Sequence, residues 1–141
     1  MDFFVYSRSA IEAVSPHDVP HVIISITSSA ADVARLRTNE ACRGVLRLSF
    51  LDADVPSDLH AEAELFSREQ AARIWDFVLQ HRTEVERLIV HCDAGMSRSP
   101  AVAAAISKAL TGDDTAFFGG RYRPNMRVYR ALLDAYQSLV P

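Results

Sequence analysis

The stretch RLIVHCDAGMSRSPAVAAAISKAL, residues 87–110, carries three patterns in succession. RLIVH is a short apolar run rich in β-branched residues, as buried strands are. A loop of small residues follows, and an alanine-rich segment of helical pattern then runs to Gly112, a residue suited to ending a helix. The order strand, loop, helix puts Cys92 at the start of a loop leaving the carboxyl end of a central strand. Open α/β sheets bind their ligands at such ends.

Working outward, three more apolar runs bounded by turn residues read as strands: FFVY (3–6), HVIISIT (21–27) and VLRLSF (45–50). Helical patterns lie between them. Ser9 with Glu12 reads as a capping box opening AIEAV, which Pro16 closes, and Ser29 is placed to cap AADVARLRT. Ser67 with Gln70 repeats the box before REQAARIWDFVLQHR, where Ala71, Ile74, Phe77 and Val78 share one helical face. From Pro100 onward the chain reads as helical: the segment to Gly112, a short DDTAFF, and PNMRVYRALLDAYQSLV with Val128, Leu132, Leu133 and Tyr136 as its packing face. Strands alternating with helices predict an α/β fold: one domain over residues 1–141, a mainly parallel central sheet flanked by helices, and a helical C-terminal third.

Composition narrows the function classes. With 49% hydrophobic and 23% charged residues in 141, the chain reads as an ordinary globular protein. A net charge of −3 argues against a nucleic-acid-binding surface. No run approaches the roughly 18 apolar residues of a membrane span. Cys42 and Cys92 are the only two cysteines, too few for a disulfide framework and without zinc-site spacing, so reduced thiols and a cytoplasmic location are expected.

The loop itself has definite chemistry. Asp93, Ala94, Gly95, Met96 and Ser97 separate Cys92 from Arg98. Small residues with a glycine, wrapped before a helix N-terminus, turn successive backbone N–H groups toward one centre and form an anion nest, for which phosphate is the natural guest. Arg98 offers a planar fork to two of its oxygens. The same field favours the ionised form of a thiol, so Cys92 faces the bound phosphoryl group as a nucleophile. Such a site calls for no metal or cofactor. It does call for a carboxylic acid on a nearby loop to protonate the departing oxygen, and FLDADVPSDLH (50–60) holds three: Asp52, Asp54 and Asp58.

HCDAGMSRS resembles the HCxxGxxR[ST] signature of the cysteine-based protein tyrosine phosphatases, and its AG and SRSP spelling is most similar to the dual-specificity subgroup. HVIISIT resembles an early strand of that family, and YRPNMRVYRALL its RP…PN…F…QL segment, with Asn125 in the matching place. The resemblance implies that Cys92 attacks phosphorus while Arg98 and the backbone of residues 93–98 hold the phosphoryl oxygens. It further implies that Ser99 assists the departing thiolate and that His91 orients the loop. The family's acid lies just after a strand, often four residues before a proline, which favours Asp52 with Pro56 and leaves Asp54 and Asp58 as alternatives. The interval from Asp52 to Cys92 is longer than is usual there.

The implied substrate is a phosphorylated protein or peptide, with phosphotyrosine preferred. Asp93 and Met96 stand where phosphoinositide-directed relatives carry lysines. A small phosphorylated metabolite or lipid is the alternative substrate, and a non-catalytic phosphate-binding module the alternative role. Cys42 has two readings, a resolving thiol for oxidised Cys92 or a packed residue near a turn. Arg121, Arg123, Arg127 and Arg130 form a basic cluster, bordering the site or ion-paired on the surface with Asp134 as neighbour.

Overall fold

The computed structural model describes residues 1–139. Strands β1 (Asp2–Ser7), β2 (His21–Thr27), β3 (Cys42–Ser49) and β4 (Arg87–Cys92) form one sheet in the order β1-β4-β2-β3, with each pair parallel. Four helices accompany them: α1 (Arg8–Ala13), α2 (Arg68–His81), α3 (Arg98–Thr111) and α4 (Met126–Leu139). Single turns of 3-10 helix fall at Glu62–Glu64 and Thr115–Phe117.

The inner strands explain why the apolar runs do not alternate. A parallel strand covered on both faces has no polar side to show, and all seven residues of β2 are buried. Its even-numbered residues Val22, Ile24 and Ile26 join Leu88 and Val90 in the larger core, beneath α2, α3 and α4. Ile23 and Ile89 point the other way, to a thinner layer with Ile11 of α1.

Helix α3 is buried continuously from Arg98 to Ser107. Its run of alanines lets β1, β4 and α4 all approach it closely, and Gly112 ends it in the left-handed conformation at φ +83°. Trp75 ties α2 to α4: its indole N–H donates to the Leu132 carbonyl at 2.8 Å and its ring lies 4.7 Å from that of Tyr136. The Ser67–Gln70 capping box forms as the residues predict.

The structure corrects several local expectations. Ser7, not Ser9, caps α1, accepting from the Ala10 N–H. No helix follows Ser29; residues 28–41 cross from β2 to β3 as an irregular strap. Tertiary partners override the helical pattern there. Arg8 forks onto Asp32 with both contacts at 2.9 Å, the Arg35 N–H donates to Glu12, and the Ala34 carbonyl accepts from Arg47. Arg127 pairs with Glu62 at 2.6 Å rather than with Asp134.

The resolving role for Cys42 fails on distance. His21 is in register with both Cys42 and Arg87, so Cys92 lies roughly 16 Å further along the sheet and about 10 Å across it. A disulfide spans at most about 7 Å between Cα atoms. Cys42 is a half-buried thiol at the far end of the sheet.

Candidate active site

Cys92 ends β4 and is 2% exposed. Two backbone donors and a hydroxyl converge on its sulfur: the Gly95 N–H at 3.2 Å, the Ser99 N–H at 3.4 Å and the Ser99 hydroxyl at 3.1 Å. The loop curls this tightly because Gly95 adopts φ +69°, and a Cβ at that position would lie 2.6 Å from the Ser7 nitrogen. The loop therefore rests directly on the end of β1, where any side chain at residue 95 would push it off. On this side the Arg8 N–H also donates to the Asp93 carbonyl at 3.1 Å.

Two segments clamp the loop from outside. The Arg123 N–H donates to the Met96 carbonyl at 2.7 Å, and the Asn125 N–H to the Ser97 carbonyl at 3.0 Å. Ser97 occupies the N-cap position of α3 but makes no capping bond. Its hydroxyl donates instead to Asp52 Oδ1 at 2.8 Å. With no cap from Ser97, the first turn of α3 turns the Ser99 N–H onto Cys92 Sγ, and the positive end of the helix dipole lies behind the loop.

Asp52 is brought to the site, and the other two carboxylates are not. Asp52 Oδ1 also accepts from Asn125 Nδ2 at 2.8 Å, and Asn125 is 4% exposed. The sequence places Asn125 only through the family resemblance; its side chain proves to cap α4 as well, accepting from the Val128 N–H at 3.2 Å. Asp54 and Asp58 lie on the exposed stretch beyond. Met96 stands at the rim, 45% exposed. Arg127 and Arg130 line a separate groove of about 1080 Å³ shared with Asp54 and Val55, outside the loop.

Arg98 is 5% exposed. Its Nη1 donates to the Phe50 carbonyl at 2.8 Å and to the Ser28 hydroxyl at 3.1 Å, and its Nη2 to Asp93 Oδ2 at 3.2 Å. Nothing local in the sequence singles out Ser28, since its partners lie on other elements. Among the described residues no cluster of metal-ligating side chains occurs, and no helix is long and apolar enough to cross a membrane.

His91 is fully buried, with Nε2 2.6 Å from the Ser25 hydroxyl and Nδ1 3.5 Å from the Cys92 carbonyl. A carbonyl only accepts, so the proton sits on Nδ1 and Ser25 donates to Nε2. Ser25 is a polar residue inside an otherwise apolar strand, and that is its one signal in the sequence. Burial pushes the His91 imidazole below its ordinary 6.5; the Cys92 carbonyl opposes this, and the charges of Arg8 and Arg47 reinforce it.

That shift links folding to pH. The unfolded chain takes up this proton first, so the neutral ring's contribution is complete above pH 6.5 and drains away as pH falls toward the folded value. Stability should fall between pH 7 and pH 5 with a share from His91 of up to about 1.4 kcal/mol per pH unit. Urea unfolding across this range measures it. His91→Asn should flatten the slope, and an unchanged slope would remove His91 from the account.

No protein-family model and no curated protein sequence matches the chain. Solved structures do match it in fold. PTPMT1, in a complex with PI(5)P, aligns over 86% of this chain and 79% of its own with a TM-score of 0.56 and 18% identity. Human DUSP28 aligns over 97% and 90% with a TM-score of 0.55 and 19% identity. The human tyrosine phosphatase-like serine/threonine/tyrosine-interacting protein covers 86% and 78% with a TM-score of 0.54 and 20% identity. The fold is that of the cysteine-based protein tyrosine phosphatases. The likeness in fold extends to dual-specificity phosphatases such as DUSP28, in agreement with the resemblance that HCDAGMSRS carries.

Proposed function

We propose that this protein is a metal-independent phosphomonoesterase that hydrolyses phosphorylated protein through a phosphocysteine intermediate. The observation that carries the reading is the convergence of the Gly95 N–H, the Ser99 N–H and the Ser99 hydroxyl on Cys92 Sγ within 3.4 Å. They fix that sulfur at the bottom of the loop, where a nucleophile would stand. With Arg98 at the start of the same helix, they form a seat for a phosphoryl group in front of that sulfur.

In the first step the Cys92 thiolate attacks phosphorus in line with the departing oxygen. The S–P bond forms, the P–O bond breaks, and Asp52 gives its proton to the leaving oxygen. Both donors to Asp52, from Ser97 and Asn125, bind Oδ1. Oδ2 is left to carry the proton, and the carboxyl plane is fixed. In the second step Asp52 takes a proton from water as its oxygen attacks phosphorus. Phosphate leaves, and sulfur departs as a thiolate stabilised by the Ser99 hydroxyl and the converging N–H groups. His91 holds the base of the loop and moves no proton.

The rim supports a phosphoprotein over a polyanionic lipid headgroup. Asp93, 46% exposed at its side chain, and Asp52 place carboxylates beside the seat, and these repel additional phosphates. Relative rates on a phosphotyrosine peptide and on soluble inositol phosphates test that choice. The function itself is tested by release of inorganic phosphate from an aryl phosphate and its block by vanadate. Binding without release would leave a phosphate-binding module in its place.

Asp52→Asn separates the acid from the rest of the site. The variant keeps an acceptor for Ser97 and Asn125 but has no proton to give, so turnover of phenyl phosphate should fall on the order of 10²- to 10⁴-fold. The loss should shrink on 4-nitrophenyl phosphate, whose leaving group needs no acid. Undiminished turnover of phenyl phosphate would point to Asp54 or Asp58 instead.

A further inference from the structure

We infer that the Asp93 side chain, with Ser28, is a positioning element that sets the Arg98 guanidinium edge-on to its phosphoryl ligand; the inference rests on the proposed phosphate chemistry of the same site. A guanidinium has five N–H donors. Nη1 uses both of its protons, on the Phe50 carbonyl and the Ser28 hydroxyl, and Nη2 uses one, on Asp93 Oδ2. The Ser28 hydroxyl in turn donates to Asp93 Oδ2 at 3.3 Å, so these two groups sit side by side against the Nη1/Nη2 end of the fork. Two protons remain without partners among the described residues, Nε–H and the second on Nη2. They lie parallel on one edge, the arrangement that grips two oxygens of one phosphoryl group.

Asp93 is therefore not a spare loop charge. Its carbonyl accepts from the Arg8 N–H at 3.1 Å, and Arg8 carries the bidentate pair to Asp32 on the strap that delivers Ser28. The loss of the expected helix after Ser29 thus has a consequence at the site. Held as an irregular strap by Arg8 and Arg47, the segment after β2 places a hydroxyl against the arginine. Ser28 and Asp93 act as one unit, because Ser28 bridges the guanidinium and the carboxylate.

The test compares Asp93→Ala, Asp93→Asn, Ser28→Ala and the double variant Asp93→Ala/Ser28→Ala with the wild-type protein. Asp93→Ala should lower kcat on aryl phosphate roughly tenfold with little change in KM. Asp93→Asn keeps an oxygen acceptor and should recover most of that loss. The double variant should be no worse than the poorer single one, as for two members of one unit. Tungstate binding by calorimetry, in a Cys92→Ser background, should weaken about tenfold with Asp93→Ala and recover with Asn.

Faster turnover and tighter tungstate binding in Asp93→Ala would overturn the inference, because the carboxylate would then be an obstacle to the anion. So would unchanged constants, or additive losses in the double variant. If the wild-type protein releases no phosphate from any ester, the proposed function fails; the calorimetric comparison still decides the positioning role.

Discussion

Cys92→Ser should bind phosphopeptide and oxyanions yet release no phosphate, a fall in turnover of at least about 10⁴-fold. The change swaps one atom at a position where backbone N–H groups from Gly95 and Ser99 already point, so the seat for the phosphoryl group survives. What goes is ionisation. A hydroxyl ionises far less readily than a thiol, and no side chain at the site is placed to take its proton, since the His91 ring is turned to Ser25 and the Cys92 carbonyl. Intact-mass spectrometry of acid-quenched wild-type protein should show a phosphoryl adduct, mapped to Cys92 by peptide fragmentation. Undiminished turnover in Cys92→Ser, or an adduct on another residue, would end the phosphocysteine reading.

What was legible in the sequence follows the range of the interactions involved. Strand β2 and the α2 capping box depend on neighbours within a few residues, and HVIISIT and Ser67–Gln70 appear as read. The loop after β4 is also local: a strand, a left-handed position that glycine fills, and a helix start lie within about a dozen residues. The misreadings are all long-range. AADVARLRT has a helical pattern, but Arg8 and Arg47 bind its backbone and Asp32 from elsewhere in the chain, and a few tenths of a kcal/mol per residue of helix propensity does not outweigh such contacts. Ser9 and Glu12 make a plausible box, yet Glu12 is drawn to the Arg35 N–H and the cap falls to Ser7.

The site divides in the same way. Cys92, Arg98 and Ser99 are fixed by their spacing in one segment. The three candidate acids are separated from them by a long interval, and only in the folded chain do Ser97 and Asn125 hold Asp52, and not Asp54 or Asp58, at the loop. Ser28 is illegible as a partner of Arg98 because a contact across 70 residues leaves no mark on either stretch.

Arg98→Lys should be nearly as damaging as loss of the nucleophile, lowering kcat/KM on the order of 10³-fold or more. Lysine preserves the charge, so a purely Coulombic role would leave most activity in place. The geometry argues otherwise. Arg98 is 5% exposed and serves Phe50, Ser28 and Asp93 on one end while keeping a parallel pair of donors for the ligand. A lysine ammonium has three protons on one atom and cannot satisfy three protein acceptors and two phosphoryl oxygens at once. It should be drawn toward Asp93 and away from the phosphoryl group, whose equatorial oxygens carry the charge that develops in transfer. The loss should therefore fall mainly on kcat, with KM for aryl phosphate changed far less, and vanadate inhibition should weaken in proportion to kcat/KM. Steady-state kinetics of Arg98→Lys beside wild type read all three quantities. A variant that retained a tenth of wild-type kcat would show that charge alone suffices, and the bidentate seat would have to be abandoned.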